Sequence, residues 1–324
     1  MSAYRTSVMY TILSLCIIVF ASCATSPTQV TQKTTTTPTS RPTARVKQPT
    51  ATPTVVTATP TRSTTPQQYT SRIFSRGVGR PDDMVFDRQG HVLFSDFYNG
   101  TVSRLNSDGS VTVLLRGLAG PEGLIVLSDG TMIIAEQNTN RILTLAPGAT
   151  VPTVLRTLPG TPSASNCDKH GVDGIAFDST TNTIIVPDSP TGNVYRMSLD
   201  GKTLTLLAAN IPRPVGAAVD AQGNIYVADE CGGALYRIST AGTITRTGGF
   251  GMLDDVAFDP RGNILVTDLL PSIHALIRID AATGRRETLA SRGFIEPQGL
   301  LVGSNDTIYV SDDYADIIVE YTPV

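Results

Sequence analysis

From residue 69 to the C-terminus, short apolar runs of four to seven residues follow one another, and no helical three-to-four spacing persists. Runs of that length, alternating or continuous, read as strands. The first set is MVFD, VLFSD, TVSRL and SVTVLL, interrupted by RQGH and NSDG. A Gly or Asn recurs between the first two runs of a set, at Gly90, Gly130, Asn182, Gly223 and Gly262. The dipeptides DG, PG, DG, AG and TG recur between the last two, at 108–109, 147–148, 200–201, 241–242 and 283–284. Tight hairpin turns need positive φ, which Gly, Asn and Asp adopt at least cost. The pattern predicts an all-β domain of four-stranded meanders.

The meander repeats six times, opening as RPDDMVFD, GPEGLIVL, GVDGIAFD, RPVGAAVD, MLDDVAFD and EPQGLLVG. A Gly or Asp stands fourth in each, at Asp83, Gly123, Gly174, Gly216, Asp255 and Gly299, at intervals of 40, 51, 42, 39 and 44 residues. That is the period of a β-propeller blade. A second marker follows thirteen or fourteen residues later, as Asp96, Glu136, Asp188, Asp229, Asp268 and Asp312. An acid repeated in every unit suits a structural task, accepting backbone N–H groups at the turn after the second strand. The last unit stops after its third strand, IIVEYTPV, whereas YTSRIFSRG at 69–77 resembles the fourth-strand segments VTVLLRG and RETLASRG. The expected fold is therefore a six-bladed β-propeller over 69–324, closed by an N-terminal strand in the last blade. Closure removes the exposed edges of an open sheet.

The preceding residues are of another kind. Residues 1–23 carry Arg5, then the apolar run VMYTILSLCIIVFA and small residues up to Cys23, as an export signal does. FASC at 20–23 resembles a bacterial lipobox, with Phe20 where Leu is usual, which makes Cys23 the lipidation candidate. The protein is expected to be extracytoplasmic, anchored to the cell membrane as a lipoprotein or secreted. Residues 24–68 are mostly Thr, Pro and Ser, too poor in apolar surface to offset the entropy of ordering them. They read as a disordered, semi-rigid stalk.

Charge divides the chain in the same place. Residues 1–70 hold six Lys or Arg and no acid, whereas the remainder holds all 28 acids against 19 bases. An acidic globular part argues against nucleic acid as a partner and is compatible with a cation. The chain is expected to be a monomer.

Consecutive strands are antiparallel, so both markers map to one face of the disc. The residue before each first marker, on the innermost strand, should then face the central channel: Asp82, Glu122, Asp173, Val215, Asp254 and Gln298. Like charges about 4 Å apart repel by about 4 kcal/mol at an effective dielectric of 20. Either some of these carboxyls hold protons or a cation sits among them. An oxygen-only set favours Ca2+ or Mg2+ over zinc. A hydrated channel with no fixed ion fits the same residues. His170 lies in the long loop SASNCDKHGVDG that makes the 51-residue interval, on the marker face. Cys167 and Cys231 lie in marker-face loops of neighbouring blades and are placed to form a disulfide in an oxidising compartment.

Units such as GNIYVADECGGALYRI and GNILVTDLLPSIHALIRI resemble the six-bladed propellers of the gluconolactonase/regucalcin family and of NHL-repeat proteins. The gluconolactonase resemblance implies a divalent-metal-dependent hydrolase of lactones or related esters. It would hold Ca2+ through Asp82, Glu122, Asp173, Asp254 and Gln298, with Asp173, His170 and Asp254 as candidates for proton transfer. Glu122 in PEGL matches the family's Glu-Gly segment, and Val215 stands where that family has Asn. The NHL resemblance implies instead a non-enzymatic propeller that binds a ligand or a protein, holding a small molecule, a sugar, a peptide or a cell-wall component on the marker face.

Overall fold

The computed structural model describes residues 67–163, 167 and 170–324. The signal segment with Cys23, and the stalk as far as residue 66, lie outside the described residues. Six antiparallel four-stranded sheets make six blades. Their innermost strands are Pro81–Phe86, Pro121–Val126, Ala176–Asp178, Pro214–Val219, Leu253–Phe258 and Pro297–Val302. One 3-10 turn, Gln137–Thr139, is the sole helical element among the described residues. The sixth sheet runs Tyr69–Arg76, Ile317–Pro323, Ile308–Asp312, Pro297–Val302, so the N-terminal strand completes the last blade.

The core is a ring of apolar wedges between neighbouring blades. Ile133, Ile142, Ile184 and Met197 fill the wedge between the second and third blades. Phe94, Met84 and Ile318 fill the wedge where the sixth blade meets the first. Alternation along the middle strands supplies one face to each wedge.

The Gly at the first marker has a packing cause. A Cβ on Gly216 would lie 2.5 Å from the Asp254 carbonyl oxygen and 2.7 Å from the Asp255 Cα. A Cβ on Gly174 would lie 2.9 Å from the Gly216 Cα, and one on Gly299 would lie 2.5 Å from the Asp82 carbonyl oxygen. The inner strands meet backbone to backbone around the axis, and a side chain would force them apart. Gly216→Ala is expected to cost about 1–3 kcal/mol through overpacking. The loss would appear as a lower urea midpoint at unchanged slope; an unaltered midpoint would refute the close approach.

At one of the two positions where Asp replaces Gly, its carboxylate is used as a clamp. Asp255 accepts from Val256 N at 2.7 Å and from Leu300 N of the next blade at 2.8 Å.

The second-marker acids do more than close the turn after the second strand. Asp96 accepts from Asn99 N at 2.9 Å and also from Arg80 N at 3.0 Å, at the entry to its own blade. Asp268 accepts from Gly251 N and Met252 N, and Asp312 from Ile295 N, Glu296 N and Ala315 N. Each buried carboxylate ties the loop entering a blade to the turn leaving its second strand. These ties hold the marker-face loops in place.

Candidate functional site

In five of the six inner strands the ladder to the second strand is irregular at the first marker. The shifts fall between Pro81 and Met84, Pro121 and Leu124, Pro214 and Ala217, Leu253 and Val256, and Pro297 and Leu300. A bulge re-aims the side chains it contains, and here it lies at the channel mouth. Asp82, Glu122, Asp173, Asp254 and Gln298 all line one cavity there, of about 170 Å3. Val215, expected beside them, is fully buried in the wedge between the fourth and fifth blades. Its apolar side chain gains more from that core than from a polar channel.

One half of the cavity is a connected polar network, although Arg213 Nε in it meets no acceptor. His170 Nδ1 donates to Gln137 Oε1 at 3.1 Å, and Gln137 Nε2 donates to Asp173 Oδ2 at 2.9 Å. Asp173 in turn faces the Arg213 guanidinium at 3.4 Å, and Arg213 pairs with Glu230. This relay crosses the second, third and fourth blades. The Cys167–Cys231 disulfide, with Cα atoms 5.8 Å apart, joins the loop before His170 to the residue after Glu230.

The other half is unpaired, although the Arg213 charge acts on Asp254 and the Arg80 charge on Glu296 and Asp313. Among the described residues, Asp82, Glu122, Asp254, Glu296 and Asp313 form no ion pair, although all five line the cavity. Glu122 and Asp313 are each only 4% exposed, and Glu122 Oε2 and Asp313 Oδ1 meet no donor. The Asp82 and Glu122 carboxyls are close enough to perturb one another directly.

Burial, with the charges of Asp82 and Asp173, pushes Glu122 well above the usual carboxylate range. Burial likewise raises Asp254, with Asp173 and Asp82 adding to it. Burial lifts Asp82 to about 8, partly offset by Glu122. Burial and then Glu296 bring Asp313 to about 7. For Asp173 burial also raises the value, but the Arg213 charge opposes it.

The rim is aromatic. Phe97, Tyr98 and Tyr314 line the same cavity, as does Leu269. Tyr98 and Tyr314 are 54% and 49% exposed, with hydroxyls 3.3 Å apart.

Several of these residues escaped the sequence reading although they sit at fixed phases of the repeat. Phe97, Gln137, Glu230, Leu269 and Asp313 each come one residue after a second marker, and Arg213 and Glu296 come three before a first marker. Taking only the position before the first marker missed them.

The oxygen donors can be compared with what a divalent ion needs. Among the described residues no group of three or more His, Cys, Asp or Glu has metal-holding geometry. A permanent cation, Arg213, already stands between Asp173 and Glu230. The side chains as arranged do not fit a resident ion.

No family model matches the sequence. The fold is similar to that of several solved proteins. A protein provisionally assigned as a gluconolactonase superposes with TM-score 0.65 at 15% identity, over 80% of this chain and 93% of that one. Virginiamycin B lyase from Staphylococcus aureus gives 0.60 at 17% identity, over 80% of this chain and 100% of that one. An auxiliary nutrient binding protein from Bacteroides ovatus gives 0.63 at 12% identity, over 80% of this chain and 78% of that one. Such identities bear on fold alone, and the chain is accordingly a six-bladed β-propeller of the architecture shared by gluconolactonase-like, lyase and binding proteins.

Proposed function

We propose that this protein is a binding propeller, displayed outside the cytoplasm, that captures a small positively charged ligand at the channel mouth. The unpaired half of the cavity carries the reading: five carboxyls that form no ion pair, two of them with buried oxygens that meet no donor. Buried carboxyls without a counter-charge hold protons, and a cation entering among them releases those protons and gains the attraction. Lipidation at Cys23 and the Thr/Pro stalk would place the domain away from the membrane surface; FASC and the composition of 24–68 support that part.

The metal-dependent lactone hydrolase implied by resemblance is the lesser reading. It asks for three oxygens around one ion, and Arg213 and Val215 both disfavour that. Without a resident ion, His170 and Asp173 act as supports for Arg213 and Gln137 rather than as a proton-transfer pair. Asp254 becomes one of the receiving carboxyls.

Calorimetric titration of the intact protein at pH 7.5 with tyramine, spermidine, Ca2+ and Mg2+, in two buffers of different ionisation enthalpy, tests the proposal. At least one cation should bind with net proton release. Glu122→Gln should weaken that binding about tenfold or more, since a unit charge at 4 Å is worth about 4 kcal/mol at an effective dielectric of 20. Its melting temperature should hold or rise, because a buried acid has been removed. Binding that ignores Glu122→Gln, or no cation binding at all, rejects this function.

A further inference from the structure

Resting on that reading, we infer that the captured charge is an organic ammonium or guanidinium group on a flat or apolar body, recognised by Tyr98 and Tyr314, whose ring faces Arg80 now covers. The guanidinium carbon of Arg80 lies 4.1 Å from the Tyr98 centroid and 4.5 Å from that of Tyr314. Ring faces attract cations in this way, most strongly where water is excluded. The two rings come from the first and sixth blades, and Phe97 packs edge-on to Tyr98 with centroids 5.1 Å apart, which fixes the tilt. The rim is therefore a built cation seat, and the protein's own side chain shows what it attracts.

Arg80 is held in that seat by the rings and by nearby charge, not by an ion pair. Its backbone N–H is tied to Asp96; the Tyr314 hydroxyl and the Asp313 charge act on its guanidinium, but among the described residues it forms no ion pair that would fix it. Only the side chain needs to swing out. Asp313, with its partnerless buried oxygen, and Glu296 line the same cavity as the two rings, and the Arg80 charge reaches both.

A ligand cation can thus take the ring faces and meet a carboxylate in the same pose. Leu269 and Phe97 then accept an apolar body, for which a small hydrated metal ion has no use. The cavity of about 170 Å3 is below the roughly 300–1,000 Å3 of drug-sized sites. It therefore suits a small molecule or the headgroup of a larger one.

The same sequence element treats its arginine differently elsewhere. Arg213, also followed by Pro, is 8% exposed and held by Asp173 and Glu230. It is a fixed part of the wall, whereas Arg80 is its movable counterpart.

The test is calorimetric titration of the intact protein with tyramine, with Ca2+ alongside. Arg80→Ala should bind tyramine about tenfold tighter, because an occupant held by two ring faces has been removed. The paired change Tyr98→Leu with Tyr314→Leu should weaken it about tenfold. Circular dichroism of each variant should match the parent, since all three side chains lie at the rim. Unchanged or weaker tyramine binding in Arg80→Ala overturns the inference, as does indifference to the tyrosine changes. If Ca2+ binds through Glu122 while tyramine does not, cation capture survives and the organic-cation assignment falls. If neither binds to the parent or to Arg80→Ala, both fall.

Discussion

A chain that begins after Arg76 is expected to lose cooperative folding altogether. The segment Tyr69–Arg76 pairs with Ile317–Pro323 from Tyr69 opposite Pro323 to Arg76 opposite Ile317, and the ladder is extended at both ends. Val324 N donates to Gln68 O at 3.0 Å, and Gly77 N donates to Asp316 O at 3.1 Å. Tyr69 also donates its hydroxyl to Asp306 at 3.0 Å, and Phe74 packs on the wedge between the sixth and first blades.

Deletion opens a hydrogen-bonding edge on Ile317–Pro323 and thins the wedge that seals the ring. Each ladder bond contributes about 0.5–1.5 kcal/mol net, so the strand as a whole approaches the roughly 5–15 kcal/mol that separates folded from unfolded domains. An exposed edge also invites pairing with another chain. The deletion protein should therefore lack a sigmoidal urea transition and should aggregate. Removal of residues 50–57 from the stalk is the control and should leave the transition unchanged. A deletion protein that melts like the parent would show that the ring does not need its closing strand.

That strand was legible because the repeat counts its own members: a sixth unit short of a fourth strand requires one from elsewhere. The marker glycines and second-marker acids were legible for the same reason, since one packing problem is solved six times. The site is where the copies stop being alike, and there the repeat helps less. Asp82, Glu122, Asp254 and Gln298 could be placed because a bulge puts one phase of their inner strands at the mouth, and Asp173 because it holds the same phase of the repeat just before its strand. Val215 shows the limit, because the same backbone position faces the core once its side chain is apolar.

Arg80 and Arg213 show the other limit. Both precede a Pro at the entry to a blade. What separates a movable rim side chain from a buried ion pair is the neighbour that each finds, two tyrosines or two carboxylates. Those neighbours come from other blades, and no local pattern contains them.

The converging acids lead to an effect opposite to ordinary acid denaturation: the folded protein should become more stable as pH falls from 8 to 5. Stability varies with pH as the difference in protons bound by the unfolded and folded chains. An unfolded Asp or Glu releases its proton near pH 4, by the reference value of about 3.9–4.3. In the folded protein Asp82 releases its proton at about 8, and Asp255 and Asp313 at about 7. Burial is the main cause in each case; for Asp255 the Leu300 and Val256 N–H groups offset part of it. Between those limits the folded state holds more protons, so raising the pH favours unfolding; the stability is fully present near pH 4 and lost by about 8. A tenfold difference in proton affinity between the two states corresponds to about 1.4 kcal/mol. Several groups together, discounted for solvent reaching the cavity, amount to a few kcal/mol, or a rise of roughly 5–10 °C in melting temperature for a domain of this size.

Below pH 4 the trend should reverse. Burial alone would raise Asp178, but bonds from Thr180, Arg196 and Thr181 outweigh it and hold the group at about 2, so its stabilisation is lost as it protonates. Scanning calorimetry at pH 8, 7, 6 and 5 reads the first limb, and Asp82→Asn with Asp313→Asn should flatten it. A melting temperature that falls steadily from pH 8 to 5 would mean that the carboxyls are already ionised in the folded protein. In that case the channel mouth holds a counter-charge beyond Arg213.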